Sequence, residues 1–444
     1  MLNRSAVLLL TSLLLLSTSG CATSSADFTI TRGYAGPPLV GFGAQLNAYL
    51  YYGHNWGPTE ANESNIADLE QKVTNLRPQH VRIFVQPEWW TGGPDIRESV
   101  IKTISLAQRA GATVNLTLWH GPYLNLPRQM RDFVGMIRDL REQHHLTCIQ
   151  YLTVQNEPNS FNMDKAKYAR IYHTLDEELR AAKLRDKIKI IGGDLLADDQ
   201  VAWLRMLSEN LSDVLDGYSI HMYQDYWDTA RQLTRVNEVP AFVGALAEKG
   251  RKPLYLMEFG LRGIRTGKEE PGKHKDGRPL YETNELATLQ AWRMLECLNR
   301  GYVALVWWDM IDIRYDRSRM TYGLIGAPAQ GWQLKPGYHL MALFTHTARP
   351  GWRARRVEGF KRDQTVTLLE GEHGELTAYE LNRSTTPVKV SISGLPPNTT
   401  FRQVIWNVKG DGQALDVGEV RSSWTGRVEI TAPPSSVTAL THTF

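Results

Sequence analysis

Between residues 38 and 346, short apolar, β-branched runs alternate with amphipathic stretches, and this pattern admits very few architectures. The runs are Leu39 to Ala44, His80 to Val85, Thr113 to Leu118, Ile149 to Val154, Lys187 to Ile191, Gly217 to Ile220, Leu254 to Met257 and Val303 to Trp307. Helical spacing follows most of them. Ile66, Leu69, Val73 and Leu76 recur at three and four residues, as do Val134, Ile137 and Leu140, and Leu286, Leu289, Trp292 and Leu295. Strands that alternate with helices predict a parallel sheet. Eight such units favour closure into a barrel over an open sheet. A (β/α)8 barrel needs about 250 residues, so a chain of 444 has room for a smaller second domain.

After Pro350 the texture changes. Val366, Leu368 and Leu376 to Leu381 alternate around Gly371 to Gly374, a hairpin signal. Val388, Val390 and Ile392 form another run, closed by Gly394-Leu395-Pro396-Pro397, and two more lie near Phe401 to Val408 and Arg427 to Ile430. The expected fold is therefore α/β: a (β/α)8 TIM barrel over residues 38–347, followed by an all-β sandwich over 348–444. Phe28 to Thr31, in the segment 21–37 before the barrel, is expected to join the sandwich as an extra strand.

The first twenty residues read as a signal peptide. Arg4 supplies positive charge, Ala6 to Leu16 is apolar apart from Thr11 and Ser12, and small residues lead to Cys21. Ser19-Gly20-Cys21 resembles the end of a bacterial lipobox, which implies a lipidated Cys21 and a membrane-anchored extracytoplasmic protein. Thr18 stands where a Leu is usual, and cleavage after Ala26 would instead give a soluble secreted form. Cys148 and Cys297 then remain, each in an apolar run, and are expected to be buried free thiols. No Cys/His cluster has metal-ligand spacing, and His144-His145 reads as a solvated helix end. With a net charge of +3 and no basic tract, nucleic acid is not an expected partner.

In such barrels chemistry sits where strands end at the C-terminal face. The fourth strand ends Gln155-Asn156-Glu157-Pro158 and the seventh ends Met257-Glu258-Phe259-Gly260. Strands four and seven face each other, so Glu157 and Glu258 can flank one bond. Surface glutamates are the plainer reading of either alone, but two carboxylates after apolar runs at facing positions point to paired acid/base work. A neighbouring carboxylate is expected to raise the pKa of the one that acts as acid. The segment Gly260 to Thr283 reads as a surface loop or as a lid over the mouth.

Asn156-Glu157-Pro158 is similar to the acid/base motif of glycoside hydrolase clan A, and Glu258 closes the seventh strand where that clan carries its nucleophile. Arg82 resembles the clan's second-strand Arg, which would hold Glu258 ionised, although a barrel-core ion pair is the plainer alternative. His221 and Tyr223 resemble the sixth-strand His-x-Tyr pair, with Tyr223 on the nucleophile and His221 on the acid/base or substrate. Trp308 resembles the Trp that floors the −1 subsite, with Trp307 as the alternative. Trp119, His120 and Asn47 complete the substrate-contacting candidates. Gly41-Phe42-Gly43-Ala44, Ile220 to Asp225 and Pro433 to Thr438 resemble family 30 most closely, with family 39 as a neighbour. Glu258-Phe259-Gly260 and the loop after it depart from the typical family 30 segment.

The resemblance implies a retaining glycosidase that cleaves β-linked oligo- or polysaccharide in two steps and needs no metal or organic cofactor. Asn156 would bond the substrate 2-OH. The alternatives are a carbohydrate-binding envelope lipoprotein on an inactive barrel, or a transglycosylase using the same two glutamates. Tyr51, Tyr52, Trp56, Trp89, Trp90, Tyr123 and Trp227 fall on expected mouth loops and are candidate platforms for stacking on sugar rings, or loop-core residues.

Overall fold

The computed structural model describes residues 25–442 except 53–60, 92, 122, 198, 264–272, 316–317 and 408, and except the side chains of 313–320. The signal segment, Cys21, Trp56 and the middle of the 260–283 segment lie outside the described residues. After β1 (Ser25–Tyr34), eight parallel strands close a barrel: β2 (Gly41–Leu46), β3 (His80–Val85), β4 (Thr113–Leu118), β5 (Ile149–Val154), β6 (Lys189–Leu195), β7 (Gly217–Asp225), β8 (Leu254–Arg262) and β9 (Tyr302–Trp307). Both faces of each strand are covered, so the strands read as nearly continuous apolar runs. In β3, Val81, Ile83 and Val85 join the apolar core cluster, while the polar His80 and Arg82 alternate with them and are equally buried.

Three strands differ from the sequence reading in a way that matters for the site. The strands β7 and β8 continue to Asp225 and Arg262, beyond the expected Ile220 and Met257, because they stay paired from Tyr218↔Leu254 to Asp225↔Arg262. The fifth barrel strand starts and ends later than expected and carries Gly193 and Asp194. The 260–283 segment is also partly regular. Lys273 bridges Pro279, and His274 packs against Glu285 and the Tyr226 ring.

β1 and eight later strands, from Arg353–Glu358 to Ser436–Thr441, form one nine-stranded sheet. β1 lies between Arg353–Glu358 and Val388–Ser393. The sheet curls so that its two halves face each other across Phe28, Ile30, Val390, Ile392, Leu376 and Phe401. Its outer side packs on helices Asn284–Leu298 and Pro336–Thr347. Tyr379 meets Phe344 at 4.7 Å, and Thr367 Oγ1 donates to the Leu295 carbonyl at 3.2 Å. Cys148 and Cys297 are buried free thiols, both pushed up to about 12 by burial.

One core position breaks the apolar rule. Glu380 alternates with Ala378 and Leu376 toward the sandwich core, is fully buried, and has no partner on either carboxylate oxygen among the described residues. Burial holds its carboxyl well above the ordinary range. The group stays protonated in the fold while the unfolded chain ionises, so its cost grows as pH rises past the ordinary glutamate value. Removing an unsatisfied buried polar group recovers roughly 1–3 kcal/mol. Thermal melts of Glu380→Leu should therefore show a gain of roughly 1–3 °C at pH 7 and a smaller gain near pH 4. A Glu380→Leu protein that melts lower at pH 7 contradicts this reading.

Candidate active site

Local backbone irregularities bring three acidic side chains into the barrel mouth. Along β8 the inward residues are Tyr255 and Met257, so strict alternation would send Glu258 outward to the helices. The register slips between Ile220↔Leu256 and His221↔Glu258, and this bulge turns Glu258 in. A second slip lies in β6 between Gly192 and Leu195. There Gly193 has φ 124° and Asp194 φ 52°, and a Cβ on Gly193 would stand 2.3 Å from the Ser219 carbonyl oxygen. Only glycine fits, and Asp194 is thereby aimed inward. After β5, Gln155 (φ 68°) and Glu157 (φ 45°) both adopt left-handed backbone, which turns Asn156 and Glu157 over the strand ends.

The fully buried Arg82 is the hub. Its guanidinium donates to Glu258, to Asp194, to Asn156 Oδ1 at 2.7 Å, to Gln45 Oε1 at 2.8 Å and to Thr117 Oγ1 at 3.0 Å. Tyr223 donates its hydroxyl to Glu258 Oε2 at 2.8 Å. His221 Nδ1 lies 2.9 Å from Glu157 Oε1 and 3.5 Å from Glu258 Oε2, and its Nε2 lies 3.5 Å from Asp194 Oδ1. One carboxylate oxygen of Glu157 and one of Glu258 are within 4.8 Å of each other.

Burial alone would lower the His221 pKa, but the charges of Glu258 and Asp194 and its hydrogen bonds outweigh it and raise it to about 9. The imidazole is then a cation that donates from Nδ1 to Glu157. Burial works to raise Asp194, yet Arg82, His221 and Ser219 hold it well below the usual carboxylate range. Glu258 differs from the expectation that Arg82 would depress it. Burial raises its carboxyl and prevails over the downward pull of His221 and Arg82. Arg82 and His221 thus bring two cationic groups to the carboxyls of Glu258 and Asp194. Glu157, His221 and Glu258 stand close enough to offer a cation three ligands.

Raising the His221 pKa above its unfolded value of about 6.5 stabilises the fold below that pH, and the contribution is lost as pH rises through about 9. The melting temperature of the wild type should fall more steeply between pH 6.5 and 9 than that of His221→Asn. Parallel curves would show that His221 is neutral in the fold.

The aromatic candidates divide. Trp308 is at the mouth, 6.0 Å from Phe84, whereas Trp307 is buried core whose indole donates to the Tyr322 carbonyl. Trp119 stacks on Phe84 at 5.4 Å, and its carbonyl accepts from Asn156 N at 2.9 Å. Asn47 Oδ1 accepts from Tyr49 N, which shapes the turn after β2. Trp89 packs on Tyr49 at 4.4 Å beside the mouth. Trp90 lies under Arg97, Tyr51 is bonded to Glu70, and Tyr123 is buried; these three do not project freely from the rim. Tyr52 and Trp227 are exposed.

Sequence reasoning missed Asp194, Gln45, Thr117, Ser219 and Gln155. Asp194 left a signal, an acid directly after Ile190-Ile191-Gly192-Gly193, but the expected strand stopped short of it.

No protein-family model matches the chain, and no curated protein matches it significantly. Solved structures do. The catalytic domain of the glycoside hydrolase family 30 xylanase C of Talaromyces cellulolyticus superposes with a TM-score of 0.68 at 12% identity, covering 94% of this chain and 99% of that one. The family 30 endoxylanase of Clostridium papyrosolvens C71 gives 0.67 at 14%, covering 94% and 100%. The family 51 arabinofuranosidase of Xanthomonas axonopodis pv. citri gives 0.65 at 14%, covering 94% and 99%. The barrel and its appended all-β sheet are thus the fold of these solved glycoside hydrolases.

Proposed function

We propose that the protein is a retaining glycoside hydrolase acting on β-linked glycosides, with Glu258 as nucleophile and Glu157 as general acid/base. The observation that carries this reading is the approach of the two carboxylates to within 4.8 Å. Retaining enzymes hold their carboxyls about 5–5.5 Å apart, whereas inverting ones need about 6.5–9.5 Å to admit a water. In the first step Glu258 attacks the anomeric carbon while Glu157 protonates the departing oxygen. His221 occupies Glu157 Oε1, so the transferable proton resides on Oε2. In the second step Glu157 takes a proton from water, which releases the sugar from Glu258. Tyr223 and Arg82 orient Glu258 throughout, and Trp308 and Trp119 flank the sugar. The fold likeness to enzymes named as xylanases and arabinofuranosidases supports a carbohydrate as the substrate.

The test is product stereochemistry. Aryl β-xyloside, β-glucoside, β-galactoside and α-L-arabinofuranoside are incubated with the chain from residue 25 onward, and the first anomer released is read by proton NMR. Net retention on at least one is expected. Inversion would remove the covalent mechanism. The sequence of the first 21 residues supports an extracytoplasmic, Cys21-lipidated form anchored to a membrane. Mass spectrometry of the N-terminal peptide from membranes checks this, and an unmodified chain beginning after Ala26 would overturn it.

A further inference from the structure

Beyond the bulge that turns Glu258 inward, β7 and β8 run on together from His221↔Glu258 to Asp225↔Arg262. Among the described residues, β6 pairs with β7 no further than Ile220, and β9 pairs with β8 no further than Phe259. Residues 222–225 and 260–262 therefore form a two-stranded ribbon that has outrun its neighbours in the barrel. A lone pair of strands is marginally stable at best. This one carries Tyr223, whose hydroxyl donates to Glu258, so its position bears on the site.

Arg293, on the outer helix Asn284–Leu298, grips both strands of the ribbon. Its Nη1 donates to the Met222 carbonyl at 2.9 Å and to the Gly260 carbonyl at 2.8 Å, one on each strand. Its Nη2 donates to Gln224 Oε1 at 3.1 Å and to Gln232 Oε1 at 3.3 Å. Gln232, on helix Thr229–Ala245, donates in turn from Nε2 to the Asp225 carbonyl at 3.1 Å. Only a planar fork of donors reaches two strands and a second helix from one point. Arg293 is wholly buried, and no carboxylate pairs with it among the described residues. Burial pulls its pKa down to about 10, which leaves it a cation at neutral pH. A charge buried against neutral acceptors alone is costly, and an apolar side chain would pack the same helix without that cost.

The grip reaches the nucleophile through Gly260. A Cβ there would stand 2.8 Å from Tyr223 Cε1 and 2.6 Å from the Tyr281 hydroxyl, so the Tyr223 ring rests directly on the glycine backbone. Tyr281 holds the far side, its hydroxyl accepting from Leu261 N at 2.9 Å. With Gly260 fixed by Arg293 and Tyr281, the ring has a rigid seat, and its hydroxyl meets Glu258 Oε2 at 2.8 Å. We propose that Arg293 is a positioning residue: it fixes the ribbon on which Gly260 seats Tyr223, and so holds the Tyr223 hydroxyl on Glu258. The proposal rests on the glycosidase reading and deepens it.

Arg293→Met keeps an apolar stem in the same space and removes the fork. On the best aryl glycoside its kcat should fall about tenfold or more while KM stays within about twofold, because alignment in the transition state suffers and substrate contacts do not. In a Tyr223→Phe background the same change should cost less than about threefold, since the group through which Arg293 acts is gone. Melting curves certify the fold, and Arg293→Lys, which keeps the charge without the fork, should give the same pattern if Arg293→Met does not fold. 3-Fluorotyrosine placed at Tyr223 gives a reading without turnover. Its fluorine resonance should shift or broaden in the Arg293 variant, while 3-fluorotyrosine at Tyr379, in the sandwich sheet, stays unchanged. A folded variant with wild-type kcat, an equal loss in both Tyr223 backgrounds, or an unchanged resonance at Tyr223 overturns the proposal. If the wild type turns over no aryl glycoside, the glycosidase reading fails, and the fluorine comparison alone decides whether Arg293 holds Tyr223.

Discussion

Glu258→Ala is expected to lower turnover of the best aryl glycoside by four or more orders of magnitude, and azide to restore part of it with inverted configuration. A nucleophile in a concerted site costs about 10⁴–10⁶ in kcat when removed, because the covalent route closes. Alanine leaves a gap beneath the anomeric carbon where a small anion fits. Azide attacks once, so the product is the inverted glycosyl azide. Glu157→Ala should behave differently. Substrates with good leaving groups still glycosylate Glu258, so they lose less than those with poor ones. Deglycosylation slows for both, and azide there yields the retained product. If Glu258→Ala keeps more than a hundredth of wild-type activity, or azide returns no inverted azide, Glu258 is not the nucleophile.

Arg82→Met should melt roughly 3–5 °C lower and lose at least a hundredfold in kcat/KM. Its guanidinium is wholly buried between Asp194 and Glu258, and no other described cation but His221 reaches them. Removing one partner of a buried ion pair costs about 3–5 kcal/mol, since the remaining charge is left uncompensated. With about 2.1 cal/mol/K of unfolding entropy per residue, each kcal/mol is worth roughly 1 °C in a chain of 444 residues. A loss of stability alone would fit any core residue. The distinguishing readout is the acid limb of the kcat/KM profile. Arg82 pulls the Glu258 carboxyl down against burial, so its removal should move that limb to higher pH. A limb that stays in place would make Arg82 a structural residue only.

Much of the barrel was legible because a parallel strand is buried on both faces and so must be apolar along its length. The runs at His80, Thr113 and Ile149 marked their strands to the residue. The ends of β6, β7 and β8 were harder to read. Polar residues there look like loop from sequence, yet Asp194, His221, Tyr223 and Glu258 are held inside the strands by one another's charges. Asp194 was lost for that reason, and its role needs Arg82 and His221, far away in sequence, to be brought beside it.

The sequence alone determined the kinds of element, their order, and that Glu157 and Glu258 follow facing strands, because periodicity and residue type are local properties. Which way those side chains point was decided only in three dimensions. Alternation along β8 would have turned Glu258 to the helices. A bulge in β8, a slip at Gly193 and left-handed backbone at Gln155 and Glu157 turn the acids into one cluster. Such irregularities are strained in isolation. They persist because the surrounding barrel packs around them and because Arg82 and His221 bind the charges they bring together.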